Sequence, residues 1–232
     1  MVAVALIGLV GTAGSGYTTS YQPILGTSVA LVNTSFPSDV LARAEGRQAR
    51  VDALSAAVTA AVQANADVIL LPEDARFFDT TATPDQNLYL FEFLYGPTDA
   101  LVIDTARTEL PDGALVLRTT LANAGTDTNH LVDKAQLVPQ GEFFPYFYSG
   151  ILHTLGLGEV VAAITADLRY VPGPEAAQHM LPSEVPSVLF CFGDMSPFGA
   201  YRLARERSVP FIVHPVSHAW FHEPTQYWHS RD

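Results

Sequence analysis

Apolar and polar positions change period repeatedly along the chain, and the changes predict strands and helices in alternation. Thr27–Asn33 is a short β-rich run closed by Phe36, Pro37 and Ser38. From Ser38 to Ala66 the chain is rich in Ala, Leu, Arg and Gln. Leu41, Leu54, Val58 and Val62 recur there at roughly helical spacing, and Ser38 or Asp39 is placed to cap a helix. Asp67 then opens a continuous apolar run to Leu71, of the kind buried on both faces of a parallel sheet. Leu88–Leu94 predicts a helix turn, Ala100–Thr105 a strand, and Ala114–Thr120 with Asn129–Val132 two neighbouring strands. An aromatic loop follows at Phe143–Tyr148. Val185–Phe190 reads as a strand, Ser196–Ser208 as a helix and Val209–Val213 as the next strand. This rhythm predicts an α/β fold with a mostly central sheet.

Composition narrows the class. The 232 residues suffice for one sizeable core and are most simply one domain. A chain 48% hydrophobic and 16% charged is globular rather than disordered. Its formal net charge of -12 argues against nucleic acid or a bare anionic membrane surface as the main partner. The single cysteine excludes an internal disulfide and a structural zinc site of the multi-cysteine type. Residues 1–20 open on an apolar, uncharged stub, Met1–Val10, and continue through Gly11–Gly16. The stub is shorter than the ~20 apolar residues that span a bilayer and lacks the basic start of a signal peptide. It reads as a disordered start, an interfacial anchor or the end of a transmembrane helix.

The candidate chemistry is carried by Glu73, Lys134 and Cys191. Lys134 and Cys191 are the only lysine and cysteine in the chain. Glu73 follows the Val68–Leu71 run after Pro72, and Cys191 follows the Ser187–Phe190 run. Both therefore fall at the carboxyl ends of predicted strands, where open α/β sheets place their sites. Cys191 has a strand-turn-helix setting, with Gly193 permitting a tight turn and a helix start able to lower the thiol pKa. A carboxylate, a lysine and a cysteine supply base, charge stabiliser and nucleophile for amide or acyl-transfer chemistry. Taken singly, each is more often a loop carboxylate, a surface charge and a buried small side chain.

The context resembles the carbon-nitrogen hydrolase (nitrilase) superfamily, and within it the catalytic domain of the apolipoprotein N-acyltransferase subfamily. Three segments carry the superfamily resemblance in order: Ala66–Glu73, Asp133–Pro145 and Val188–Cys191. Leu137-Val138-Pro139 with Gly141, Glu142 and Pro145, and Ala219-Trp220-Phe221, point to the subfamily. The resemblance spans about Ser28 to Phe221 and implies a nitrilase-like α-β-β-α sandwich over 27–232. It implies that Cys191 takes an acyl group as a thioester, that Glu73 is the general base and that Lys134 stabilises the oxyanion. Glu142 orients Lys134 or assists proton transfer, and Phe143, Phe144, Phe192 and Trp220 contact substrate. No cofactor or metal is implied. The implied acyl donor is a phospholipid and the acceptor the terminal amine of a lipoprotein, at the extracytoplasmic side of the cell membrane. The alternative is a soluble, cytoplasmic amidase or nitrilase-type hydrolase, in which water resolves the acyl-enzyme; an inactive fragment is a third reading.

Some residues depart from the pattern. Phe192 and Gly193 stand where the acyltransferases usually have Tyr and Glu, with Asp194 one residue later. Ser217 and His218 precede Ala-Trp-Phe where Asn-Asp is common, and His222 follows where Gly is usual. The family continues beyond the Trp-Phe segment through another helix and several strands, so the expected domain is C-terminally incomplete. His214, His218 and His222 have i, i+4 spacing, but Pro215 and the β-rich run before it favour loop histidines over a metal site. Arg202, Arg205 and Arg207 read as a solvated helix face.

Overall fold

The computed structural model describes residues 3–6, 26–33, 47–139, 142–166, 168–174, 180–190, 201, 203 and 211–216. Most of the helix expected over 196–208, including its three arginines, lies outside them. So do the capping positions 38 and 39 and most of the stub 1–20. Within the stub, Ala3–Leu6 forms strand β1. The larger sheet has the strand order β1-β2-β3-β4-β5-β6, with β2 at Val29–Asn33, β3 at Val68–Leu70, β4 at Leu101–Glu109, β5 at Leu115–Asn123 and β6 at Thr128–Asp133. The chain divides into two compact units, residues 1–104, 120–129 and 215–232 in one and 105–119 and 130–214 in the other.

In the first unit, β1 runs antiparallel to β2, pairing Ala3 with Asn33 and Leu6 with Ala30. β2 is parallel to β3, with Val29 opposite Val68, and β3 is parallel to β4, with Val68 opposite Leu101. Parallel neighbours need a crossover, and helix α1 (Arg47–Gln63) supplies it between β2 and β3. Its buried residues Leu54, Ala57, Val58 and Ala61 form an i, i+3, i+4, i+7 stripe that meets Ala30 and Val32 of β2 and Ile69 of β3 in one core cluster. Small alanines on this stripe let the helix approach the sheet closely. Asp67 fixes the entry to β3. Its carboxylate accepts from the Ser28 amide at 2.6 Å and from the Ser28 hydroxyl at 2.8 Å, which holds its pKa below the usual carboxylate value.

Helix α2 spans Pro84–Tyr95, a longer element than the helix turn predicted at Leu88–Leu94. Thr83 begins it with a capping box: its hydroxyl accepts from the Gln86 amide, the Gln86 side chain accepts from the Thr83 amide, and Pro84 sits at the first helical position. Phe91 of α2 packs edge-on against Phe77 and Phe78 and at a tilt on Tyr95, with centroids 6.3, 6.1 and 4.9 Å away.

The second unit contains the later part of β4, the start of β5 and the end of β6. Thr105 and Thr119, both fully buried, share a hydrogen bond of 3.1 Å between their hydroxyls. The aromatic run at Phe143–Tyr148 is not wholly a loop. Pro145, with φ -61° and ψ 131°, sets an extended N-cap, and Tyr146, Phe147 and Tyr148 open helix α3 (Tyr146–Thr154). Gly156, at φ 78°, closes that helix, and α4 (Gly158–Thr165) packs back on α3. Strands β7 (Ser187–Val188) and β8 (Ile212–Val213) are parallel and shorter than the apolar runs that contain them. Pro186 has no N–H to give to a ladder, which shortens β7 at its start. Pairing does continue past β7, where the Leu189 amide donates to the Val213 carbonyl at 2.8 Å. Among the described residues no helix is long and apolar enough to cross a membrane.

Candidate active site

Glu73 lies in the first unit, and Lys134 and Glu142 lie in the second. The chain reaches Glu73 by leaving the sheet. The Leu71 amide still donates to the Ile103 carbonyl at 3.0 Å, but Pro72 cannot continue the ladder. A tight turn follows, in which the Ala75 amide donates to the Pro72 carbonyl at 3.2 Å. Glu73 and Asp74 are both buried. Asp74 and Arg76 have φ of 59° and 53°, in the left-handed region that Asp tolerates better than Arg. Arg76 donates to both carboxylate oxygens of Asp74, through Nε at 2.7 Å and Nη2 at 3.0 Å. That bidentate pair helps to offset a backbone cost of order 1–3 kcal/mol per strained residue.

Lys134 follows the last residue of β6, and its side chain is 0% exposed. A buried ammonium is costly unless paired and hydrogen-bonded. Glu142 meets both needs. Its Oε1 accepts from Lys134 Nζ at 2.7 Å, and its Oε2 accepts from the Val138 amide at 2.8 Å. The Glu142 amide in turn donates to the Val138 carbonyl at 2.9 Å. One carboxylate thus ties the lysine to the Leu137-Val138-Pro139 segment and closes the loop that carries it.

The other expected site residues are distributed as follows. Phe143 and Phe144 are half-buried, and the Phe144 ring lies 6.5 Å from Tyr148 in a tilted arrangement. Cys191, Phe192 and Trp220 lie outside the described residues, as do Gly193, Asp194, His218 and His222. Strand β7 ends at Val188, and Phe190, directly before Cys191, is buried.

Two arrangements escaped the sequence reading. One is the Asp74–Arg76 pair, whose only signal was two charges placed directly after Glu73. The other joins Arg118 of β5 to Asp133 of β6, with Nε 2.6 Å from Oδ1 and Nη2 2.9 Å from Oδ2. The Asp133 hydrogen bonds raise the Arg118 pKa above the usual arginine value, against the opposing effect of burial. What the described site offers chemically is a buried cation aimed by a carboxylate, a fitting device for an oxyanion that forms only in a transition state.

No family model matches the sequence, and no curated protein does. Solved structures do share its fold. Saccharomyces cerevisiae Nit3, a member of branch 10 of the nitrilase superfamily, aligns with a TM-score of 0.53 at 14% identity, over 82% of this chain and 64% of Nit3. A carbon-nitrogen hydrolase from Helicobacter pylori aligns with a TM-score of 0.49 at 11% identity, over 80% of this chain and 60% of that one. A glutamine-dependent NAD+ synthetase from Acinetobacter baumannii aligns with a TM-score of 0.49 at 13% identity, over 79% of this chain and 31% of that one. This chain therefore spans less than two thirds of the length of each. The fold is mixed α/β and nitrilase-like.

Proposed function

We propose that this protein is a carbon-nitrogen hydrolase of amidase or nitrilase type that works through an acyl thioester on Cys191. The observation that carries the reading is the fully buried Lys134 ammonium held by Glu142. The order of Glu73, Lys134 and Cys191 along a nitrilase-like fold supports it. In the reaction, Glu73 takes the thiol proton and Cys191 sulfur attacks the amide carbonyl carbon. The carbonyl oxygen becomes an oxyanion, which Lys134 stabilises. The intermediate collapses, the carbon–nitrogen bond breaks, and the leaving amine takes the proton from Glu73. Water then gives a proton to Glu73 and attacks the thioester carbon, releasing the acid and restoring the thiol.

A second reading keeps the thioester and changes both partners. An N-acyltransferase would take the acyl group from a phospholipid ester and pass it to the terminal amine of a lipoprotein at a membrane surface. Two observations favour it: the Leu137-Val138-Pro139 segment around the Glu142 contact, and the exposure of Tyr146 (89%) and Phe147 (74%) at the start of α3. The structural neighbours favour the first reading.

Glu73→Gln separates either enzyme from an inactive protein. It keeps the shape of the side chain and removes the base, so turnover falls about 10²- to 10⁴-fold with KM little changed. The assay pairs a panel of short aliphatic and aromatic amides with phospholipid vesicles plus an amine acceptor. Amide turnover that depends on Cys191 supports the first reading. Transfer from lipid without amide turnover supports the second. A folded protein inactive in both overturns the proposal.

A further inference from the structure

Lys134 is held by its backbone as well as by its side chain. Its amide donates to the Leu117 carbonyl of β5 at 2.8 Å, and its own carbonyl accepts from the Gly173 amide at 2.8 Å. The Gly173 segment is aligned along β5: the Leu115 amide donates to the Arg169 carbonyl at 2.9 Å, and the Leu115 carbonyl accepts from the Val171 amide at 2.9 Å. Pro172 and Pro174 flank Gly173 and stiffen it. At Gly173 there is no room for a side chain. A Cβ there would overlap Asp133 Cβ and come within 2.9 Å of the Asp133 carbonyl carbon and oxygen. Asp133 itself is held by the bidentate contact with Arg118, the residue after Leu117.

We propose that Gly173 and the Arg118–Asp133 pair form a frame that sets the position of the Lys134 ammonium, and that they are positioning residues for the oxyanion step. The catalytic part of this inference rests on the function proposed above, while the positional part does not. Glu142 governs the tip of the lysine; the frame governs its root. Any side chain at residue 173 pushes the Asp133–Lys134 backbone away and carries Nζ with it. A displacement of about 1 Å at a catalytic group lowers turnover by about 10²-fold, through kcat rather than KM where the group acts on the transition state.

Because Lys134 is the only lysine, protein grown on lysine labelled with ¹⁵N at Nζ gives one side-chain signal. Gly173→Ala and Arg118→Gln should both shift that signal and speed its hydrogen exchange while the proteins remain folded. Arg118→Gln also serves if Gly173→Ala fails to fold. Glutamine cannot reproduce the charged, two-pronged contact with Asp133, and it adds no second lysine to the spectrum. In active protein, Gly173→Ala should lower kcat about 10²-fold and add no further loss on a Lys134→Ala background. Folded variants with an unchanged Lys134 signal overturn the frame, and so does a kcat loss that adds in full to that of Lys134→Ala. If the wild type turns over no substrate, the proposed function fails while the Nζ signal still decides the frame.

Discussion

Lys134→Ala is expected to lower turnover by about 10²- to 10³-fold, the range seen when one oxyanion donor is removed. The same change is expected to destabilise the fold by about 3–5 kcal/mol, as when one partner of a buried ion pair is lost. Both effects have one cause. The ammonium is fully buried and 2.7 Å from Glu142, so its removal leaves a carboxylate facing a void in the protein interior. Glu142 keeps its contact with the Val138 amide, which places the stability cost toward the lower end. Glu142→Gln should also destabilise, because it removes the counter-charge of Nζ and leaves one acceptor oxygen for the two donors, Nζ and the Val138 amide. Denaturant unfolding and steady-state kinetics measured on the same preparations check both. A stability change under about 1 kcal/mol for Lys134→Ala would mean that the pair is not buried as described.

Phe91→Ala should cost about 3–5 kcal/mol without touching the chemistry directly. Phe91 is 2% exposed and contacts Phe77, Phe78 and Tyr95. Truncation leaves a cavity that the three rings cannot close without leaving their own places. For a chain of this size each kcal/mol moves the melting midpoint by roughly 2–4 °C, so a fall of about 6–20 °C is expected. Phe93→Ala on the same helix is the control. Phe93 is 75% exposed, and its loss should stay within about 0.5 kcal/mol. The damage from Phe91→Ala should also spread toward Glu73. Phe78 lies in the same loop as Glu73, under α2, and its amide is tied to Asp104 Oδ2 at 2.9 Å. A Phe91→Ala protein as stable as the wild type would contradict the packing described for α2.

The sequence was most legible where burial imposes a period. The Leu54–Val58 spacing and the Val68–Leu71 run announced α1 and β3 because both elements face one core. The position of Glu73 just past β3 was legible for a related reason, since Pro72 cannot continue the ladder. Helices α3 and α4 left no comparable trace. None of the α3 residues is buried and α4 buries only Val161, so neither helix answers to the core that disciplines the pattern of α1. The aromatic residues of α3 therefore looked like loop. Lys134 and Glu142 were found together only through the family resemblance, because they stand 8 positions apart in a loop with no period of its own. The Arg118–Asp133 contact depends on the register of β5 against β6, which no local pattern encodes. Gly173 was invisible for a plainer reason: the space it lacks is occupied by Asp133, far back along the chain.

The proposed reaction passes an acyl group through Cys191. The most direct measurement is the intact mass of the protein after brief exposure to an amide or to phospholipid vesicles, beside Cys191→Ala. A thioester on Cys191 would appear as an added acyl mass that hydroxylamine removes and that Cys191→Ala never shows. An adduct that persists in Cys191→Ala, or a folded wild-type protein that acquires none from any amide, ester or lipid offered, would contradict it.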